Sequence, residues 1–258
     1  MSSTDIQSKE HTNADSEIHP PEIHRVSEAG NGGEFVVLGN KHYYKHELMK
    51  AFGGNLNPGL ATPPKHQFAN PAPLGLSAFA FTTFVLSMYN AGAMGVKPPN
   101  VVLGAAAFYG GFIQMLAGIW ELAVGNTFGG TALTSYGAFW LSYVAILVPA
   151  FGIEAAYEGT DQMGNAVAFY LLAWSLFTFM LTIVTMKSTL FFFSLFFCLA
   201  VTFLLLSIAD FTGNSNVKTA GGVMGVITAF LGWYNAWAGT ANKANSYITS
   251  WPIPLSKQ

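Results

Sequence analysis

The sequence predicts an all-α membrane protein with six transmembrane helices, and three observations support this fold class. Only 9% of the 258 residues are charged while 52% are hydrophobic, whereas a soluble domain carries about 25% charged residues. The neutral stretches are long, and each provides the roughly 20 residues that a helix needs to cross about 30 Å of hydrocarbon. Five of the six candidate helices also lack the charged stripe that a water-facing bundle helix would show.

The charges divide the chain into a polar N-terminal part and an apolar remainder. Residues 1–69 hold six of the 11 basic residues, eight of the 13 acidic residues and all six His. The other 189 residues carry only ten charges. We therefore predict a largely disordered tail over 1–40, an interfacial helix and linker over 41–69, a transmembrane domain over 70–242 and a C-terminal tail over 243–258.

The predicted interfacial helix rests on a short amphipathic pattern. The run at 41–52 reads KHYYKHELMKAF. At helical spacing it places Tyr44, Leu48 and Phe52 on one face, with Lys and His elsewhere. A short helix that caps the bundle is the alternative interpretation of the same pattern.

The six predicted spans follow the neutral stretches in order. Their limits are 71–95, 99–124, 130–151, 165–186, 189–209 and 219–240. The neutral run that contains the third span, 122–153, is too long for one span, so Gly125, Gly129 and Gly130 are predicted to mark the turn into the helix.

The short loops predict the orientation of the spans. Five loop and tail lysines are predicted on the side of the N-terminus: Lys50, Lys65, Lys187, Lys243 and Lys257. The opposite side has only two, Lys97 and Lys218, together with the acids Glu154, Glu158, Asp161 and Asp210. The positive-inside rule then places both termini in the cytoplasm, and we expect a multi-pass protein of the plasma membrane.

Several function classes are disfavoured by composition. The net charge is −2 and no basic block is present, which argues against a nucleic-acid partner. The single cysteine, Cys198, is too few for a disulfide or a metal–thiolate framework. We expect no cofactor and no metal site, since the spacing of the six His is typical of surface residues. An enzyme is disfavoured because the one acid within a span has no His or Cys partner in the sequence.

Four motifs stand out in the first three spans. They are ANPAPLGLSAF at 69–79, FYGGF at 108–112, AGIWE at 117–121 and GNTFGGTALTSYGAFW at 125–140. The Asn-Pro opening of the first suits a stiff helix start, because Asn caps helices and Pro is tolerated in a first turn; a pore-lining role is the alternative. An aquaporin is excluded, because the nearest second copy, Asn57-Pro58-Gly59, precedes the first span.

Together these motifs closely resemble the acetate uptake transporter family, which includes fungal acetate and ammonia-export proteins and bacterial succinate-acetate permeases. The resemblance covers about 41–255. It implies a six-helix protomer with its own pore, a hexameric assembly, and transport of acetate and related small monocarboxylates, either coupled to protons or as an anion-selective channel. It also implies a hydrophobic constriction, which by motif corresponds to Phe79, Tyr136 and Leu199.

Helical spacing suggests which side chains line the substrate path. In the first span, Phe79, Thr83 and Asn90 share one face, and Trp140 follows Tyr136 by four residues in the third. The glycines of the sixth span favour helix packing. The candidates for the path are Asn70, Thr83, Asn90, Gln114, Thr131, Ser135, Trp140 and Asn235.

Glu121 is the only acid inside the second predicted span. Charge at membrane depth is costly and usually faces a cavity, a partner or an ion path. Two roles remain open for Glu121: proton acceptance during symport, or a structural anchor for the turn at Asn126 and Thr127.

The predicted spans contain no Lys and no Arg, so a carboxylate crossing them is expected to meet no fixed cation. Hydroxyls, amides and indole N–H groups would have to hold it weakly, which suits a small substrate such as acetate. The alternatives are an ammonium or ammonia export channel, which the absence of His beyond His66 disfavours, and an acetate-sensing membrane protein with a signalling tail.

Overall fold

The computed structural model describes residues 26–30, 32–51, 68–96 and 98–256. The chain divides into two compact units, Met1–Gln67 and Phe68–Gln258. Several features used for prediction lie outside the described residues, namely the tail over 1–25, the Asn-Pro-Gly sequence at 57–59 and three orientation lysines, Lys65, Lys97 and Lys257.

The N-terminal unit contains a small antiparallel sheet. Strands β1 (Ser27–Ala29), β2 (Phe35–Leu38) and β3 (Lys41–Tyr44) pair in that order. Helix α1 (Lys45–Ala51) follows directly. Gly39 opens the two-residue turn between β2 and β3 with φ of 61°, a conformation that favours glycine.

The helix predicted over 41–52 is therefore shorter, because Lys41–Tyr44 is a strand. Two strands also lie at the end of the segment predicted to be largely disordered, 1–40. The physical reason is the run Phe35–Leu38, which is rich in residues that favour strands. This run pairs with Lys41–Tyr44 as a neighbouring strand. The pattern over 41–52 alone does not contain that partner.

The second unit is helical. Its long elements, in chain order, are α2 (Ala72–Asn90), α3 (Asn100–Ala107), a π-helical segment (Phe108–Ile113), α4 (Gln114–Ala123), α5 (Thr127–Leu147), α6 (Met163–Val184), α7 (Leu190–Thr212) and α8 (Ser215–Thr240). Since α3, the π-helical segment and α4 run on without a break, the described residues form six long helical segments where six spans were predicted.

The helix ends differ from the predicted limits by a few residues, and α5 shows why. It begins at Thr127, because the Asn126 side chain accepts a hydrogen bond from Gly129 N and caps the helix. Gly125 does form the preceding turn, with φ of 88°, whereas Gly129 lies inside the helix. The helix ends at Leu147 because Pro149 holds the residue before it, Val148, in an extended conformation.

Four of the six long segments in the described residues are both long and apolar enough to cross a membrane. They are Ala72–Asn90, Asn100–Ala123, Met163–Lys187 and Leu190–Thr212. Helices α5 and α8 have sufficient length but are less apolar, since they carry many Gly, Thr, Ser and Asn residues.

The helices pack in antiparallel neighbours: α2 against α8, α7 against α6 and α8, and α4 against α5. The α2–α8 contact is close, because a Cβ at Gly222 or Gly225 would collide with Ala91 or Ser87 of the α2 end. The glycines of the last helix therefore serve packing, as predicted. An aromatic cluster fills the middle of the bundle, including Phe79, Tyr136, Phe139, Trp140, Phe196 and Phe203.

Candidate functional site

A cavity of about 290 Å³ opens among α2, α5, α6, α7 and α8. Most of its lining residues come from the C-terminal halves of α2, α5 and α7 and from the N-terminal halves of α6 and α8. In an antiparallel bundle those halves lie at the same end. The cavity is therefore a vestibule that leads from one end of the bundle to its middle, and we call it the vestibule below.

The floor of the vestibule is formed by two predicted constriction residues, Phe79 and Leu199. On α7, Asp210 marks the mouth and Leu199 marks the floor, which are eleven residues apart. At 1.5 Å per residue this separation is about 16 Å. The vestibule thus covers about half of the thickness of a hydrocarbon core.

The third constriction residue, Tyr136, lies against Phe79 with 6.0 Å between the ring centroids. Phe79, Tyr136 and Leu199 are all at most 4% exposed and belong to one buried cluster. The Tyr136 hydroxyl donates a hydrogen bond of 3.0 Å to Thr178 Oγ1 on α6. The structure therefore brings the three predicted residues together and orients the tyrosine from a neighbouring helix.

Three residues of the predicted path line the vestibule: Thr83, Asn90 and Trp140. Two of their polar atoms, Thr83 Oγ1 and Trp140 Nε1, are buried and have no hydrogen-bond partner within the described residues. A buried donor without a partner is costly. Thr83 and Trp140 therefore leave hydrogen-bonding capacity unused in the wall of the vestibule.

The other predicted path residues lie outside the vestibule. Asn70 is exposed and its Oδ1 accepts a hydrogen bond of 3.0 Å from Ala72 N at the start of α2, which supports the interpretation as a helix start. Thr131 is exposed and Ser135 is half-buried. Asn235 ties α8 to the start of α7, because its Nδ2 donates to the Phe191 carbonyl at 3.2 Å.

Gln114 and Glu121 lie on α4 and are both buried, at 0% and 2% exposure. Neither amide atom of Gln114 has a hydrogen-bond partner within the described residues. For Glu121, Oε2 accepts a hydrogen bond from Asn126 Nδ2, and Asn126 in turn caps α5. This hydrogen bond links α4 to the cap of α5, while Glu121 Oε1 has no partner within the described residues.

Residues 52–257 match the model of the GPR1/FUN34/yaaH family. The chain belongs to this family. The match confirms the resemblance that the four motifs carry.

Individual relatives of this GPR1/FUN34/yaaH protein are named for transport. Ammonia transport outward protein 2 of Saccharomyces cerevisiae is 59% identical over 94% of this chain and 87% of its own length. Acetate permease A of Emericella nidulans is 46% identical over 79% of this chain and 72% of its own length. The solved structure of the bacterial acetate channel SatP has a TM-score of 0.63 and 37% identity, covering 69% of this chain and 96% of that channel.

In this family member the vestibule is also lined by two charged residues, Asp210 and Lys218. Neither was among the predicted site residues. The expectation that a carboxylate meets no fixed cation is therefore wrong at the mouth. The reason is that α8 begins at Ser215 rather than at 219, which places Lys218 on the helix. A signal was present, since Asp210 directly follows the fifth predicted span and Lys218 directly precedes the sixth.

Tyr170 of α6 is a further vestibule residue that the sequence did not single out. Its ring stacks on Phe139 with 5.8 Å between centroids, and its hydroxyl donates to the Phe139 carbonyl at 3.0 Å. Ser142 Oγ lies 2.6 Å from the same hydroxyl. Helical spacing within one span cannot show such a contact between two helices.

Proposed function

We propose that this chain passes acetate and related small monocarboxylates across a membrane through the vestibule, with Phe79, Tyr136 and Leu199 as the gate below it. The proposal is supported by the relatives named for acetate transport. It is also supported by the position of two gate residues at the vestibule floor.

The observation that carries the proposal is the combination of apolar walls with a few unpaired polar atoms. The volume of about 290 Å³ lies near the lower end of the range of about 300–1,000 Å³ for ligand pockets. A carboxylate can accept hydrogen bonds from Thr83 and Trp140, while the methyl group of acetate contacts the aromatic walls. Such binding is weak, and a permeation site must release its solute as readily as it accepts it.

The wider architecture is part of the proposal. We propose that all six long segments span the membrane, with α5 and α8 less apolar because their small and polar side chains pack against neighbouring helices. The protomers would assemble as a hexamer with a pore in each, in the plasma membrane, with both termini cytoplasmic. We propose a transporter or channel without catalytic activity.

Labelled acetate uptake into proteoliposomes tests both the function and the gate. We expect Leu199→Ala to raise the uptake rate several-fold, because the smaller side chain widens the vestibule floor. Leu176→Ala is the matched control, since Leu176 is 60% exposed on α6 and lies outside the vestibule. Equal rates for Leu199→Ala and wild type would disprove the gate, and no uptake by either would disprove the function.

The same vesicles can show whether acetate transport is coupled to protons. Electroneutral symport of acetate with a proton predicts uptake that depends on the pH gradient and is independent of membrane voltage. Conduction of the acetate anion predicts uptake that depends on voltage. Acetate flux measured against both variables separates the two mechanisms.

Export of ammonium or ammonia is the second candidate function, and the vestibule offers one observation in its favour. Aromatic faces attract cations, and Phe139, Trp140 and Tyr143 line the vestibule together with the acid Asp210. The yeast relative named for ammonia transport agrees with it. Flux of labelled methylammonium without flux of acetate would favour this candidate over acetate transport.

A further inference from the structure

The mouth of the vestibule carries one acid and one base. Asp210 lies in the last turn of α7, and Lys218 lies in the first turn of α8. Only Gly213 and Asn214 lie between the two helices, so the two charges lie at a similar level along the axis of the bundle. Among the described residues they are the only Asp, Glu, Lys or Arg side chains that line the vestibule.

Both charges are available to a solute. Within the part of the chain that the structure describes, the side chains of Asp210 and Lys218 form no hydrogen bond and no ion pair. They are near enough to interact electrostatically, and Asp210 also interacts with Tyr143 of the vestibule wall. The two residues therefore form a pair of opposite charges without direct contact.

Helix stability does not account for this placement. The C-terminal end of a helix favours a cation and the N-terminal end favours an anion. Asp210 and Lys218 occupy the opposite positions on α7 and α8. Each charge stands where the helix dipole disfavours it, while both face the route into the vestibule.

We propose that Asp210 and Lys218 are specificity-determining residues, which admit monocarboxylates and select against dicarboxylates. Lys218 attracts a carboxylate to the mouth. Asp210 repels the second carboxylate of a dianion such as succinate. This inference rests on the proposed function, because it takes the solute to be a small carboxylate.

The location of the pair decides how each residue acts. Lys218 is exposed, and charges at a solvent-accessible mouth are screened beyond about 8–10 Å at ordinary salt. Lys218 therefore raises the local concentration of anions by an amount that depends on ionic strength. Asp210 is half-buried and near enough to Tyr143 to interact with it electrostatically, so its charge is less screened and acts at short range.

A dianion has little to compensate it below the mouth. From Asp210 to the floor at Leu199 the α7 side of the wall presents Thr202, Phe203 and Leu206, none of which is charged. A monocarboxylate must desolvate one charged group on passing the mouth, whereas a dicarboxylate must desolvate two. The repulsion by Asp210 adds to that difference.

Uptake of labelled acetate and labelled succinate by the full-length protein in proteoliposomes tests the proposal. We expect Asp210→Asn to raise the ratio of succinate to acetate uptake about tenfold, and Asp210→Glu to keep the ratio of the wild type. We expect Lys218→Gln to raise the KM for acetate roughly fivefold at low salt and less than about twofold at high salt.

Matched charge changes outside the vestibule serve as controls. Glu158→Gln removes an exposed acid from the α5–α6 connection at the same end of the bundle, and Lys187→Gln removes an exposed cation from the α6–α7 connection at the other end. Neither control should change the ratio of succinate to acetate uptake or the salt dependence of the KM for acetate.

Three outcomes would overturn the proposal. The first is a succinate-to-acetate uptake ratio that Asp210→Asn leaves unchanged. The second is an equal change of that ratio in Asp210→Asn and Asp210→Glu. The third is an effect of Lys218→Gln on the KM for acetate that does not depend on salt. Absence of acetate uptake by the wild type would instead overturn the proposed function. The two failures are therefore distinguishable.

Discussion

Buried polar groups in this protein occur in two regions with different surroundings. In the vestibule, the unpaired atoms Thr83 Oγ1 and Trp140 Nε1 belong to residues that line open space. At the contact of α4 with α5, which we call the α4–α5 interface, the described residues pack closely. A Cβ at Gly118 would collide with the backbone N and Oγ1 of Thr134, and one at Gly129 would meet the Glu121 carboxylate.

The difference shows that burial of a polar side chain is not by itself evidence for a transport role. Glu121 is as buried as Trp140, at 2% exposure each. Yet Glu121 binds Asn126 within a close helix contact, whereas Trp140 lines a cavity. The α4–α5 interface is therefore a close packing contact, whereas we propose that the vestibule is the route for the solute.

Filling the α4–α5 interface is expected to have the largest effect. Gly118→Val places a branched side chain against the Thr134 backbone, so we expect a loss of stability at or above the upper end of the about 1–3 kcal/mol typical of overpacking. Thermal unfolding of the detergent-solubilised protein measures it. Gly104→Val is the control, because no atom beyond its chain neighbours and its own helix backbone lies within 4 Å of a Cβ at Gly104. Equal shifts in Tm for the two variants would contradict the close contact.

Replacement of Glu121 separates an anchor from a proton carrier. Glu121→Ala leaves Asn126 Nδ2 without its acceptor, and we expect it to cost about 2 kcal/mol of stability. Glu121→Gln keeps an acceptor oxygen and should unfold close to the temperature of the wild type. It should also retain the dependence of acetate uptake on pH, and loss of that dependence in a stable Glu121→Gln protein would identify Glu121 as a proton carrier.

The smallest effect is expected at the hydrogen bond that orients Tyr136. Thr178→Val removes the acceptor of the Tyr136 hydroxyl, and we expect it to lower the free energy of unfolding by about 1 kcal/mol more than Thr182→Val. Thr182 is an equally suitable buried threonine, but its hydroxyl bonds only the Thr178 carbonyl of its own helix. Equal Tm values for the two variants would show that the interhelical bond contributes nothing.

Much of the candidate site was predictable from the sequence because it follows helical spacing within one span. Phe79, Thr83 and Asn90 share a face of α2, and all three line the vestibule. The same reasoning placed Thr131 and Ser135 on a polar face of α5, but neither lines the vestibule. Periodicity shows which residues share a face, and it does not show which neighbour that face meets.

The charged mouth was missed because it depends on helix ends and on two helices together. Asp210 and Lys218 each lay one residue outside a predicted span, and such limits are uncertain by several residues. Their approach results from the two-residue connection of Gly213 and Asn214. The N-terminal strand Lys41–Tyr44 was missed for a similar reason, since its pairing partner lies outside the run at 41–52.

The sequence by itself determined the class of protein and its family, because low charge, long neutral stretches and the motifs at 69–79 and 125–140 are local properties of the chain. The tertiary structure alone decided which buried polar groups border a cavity and which lie in a helix contact. That distinction depends on the distances between helices. At the α4–α5 interface, Gly118 and Gly129 bring the backbones together, whereas around the vestibule the large side chains of Phe79, Phe139 and Trp140 border the space that remains open.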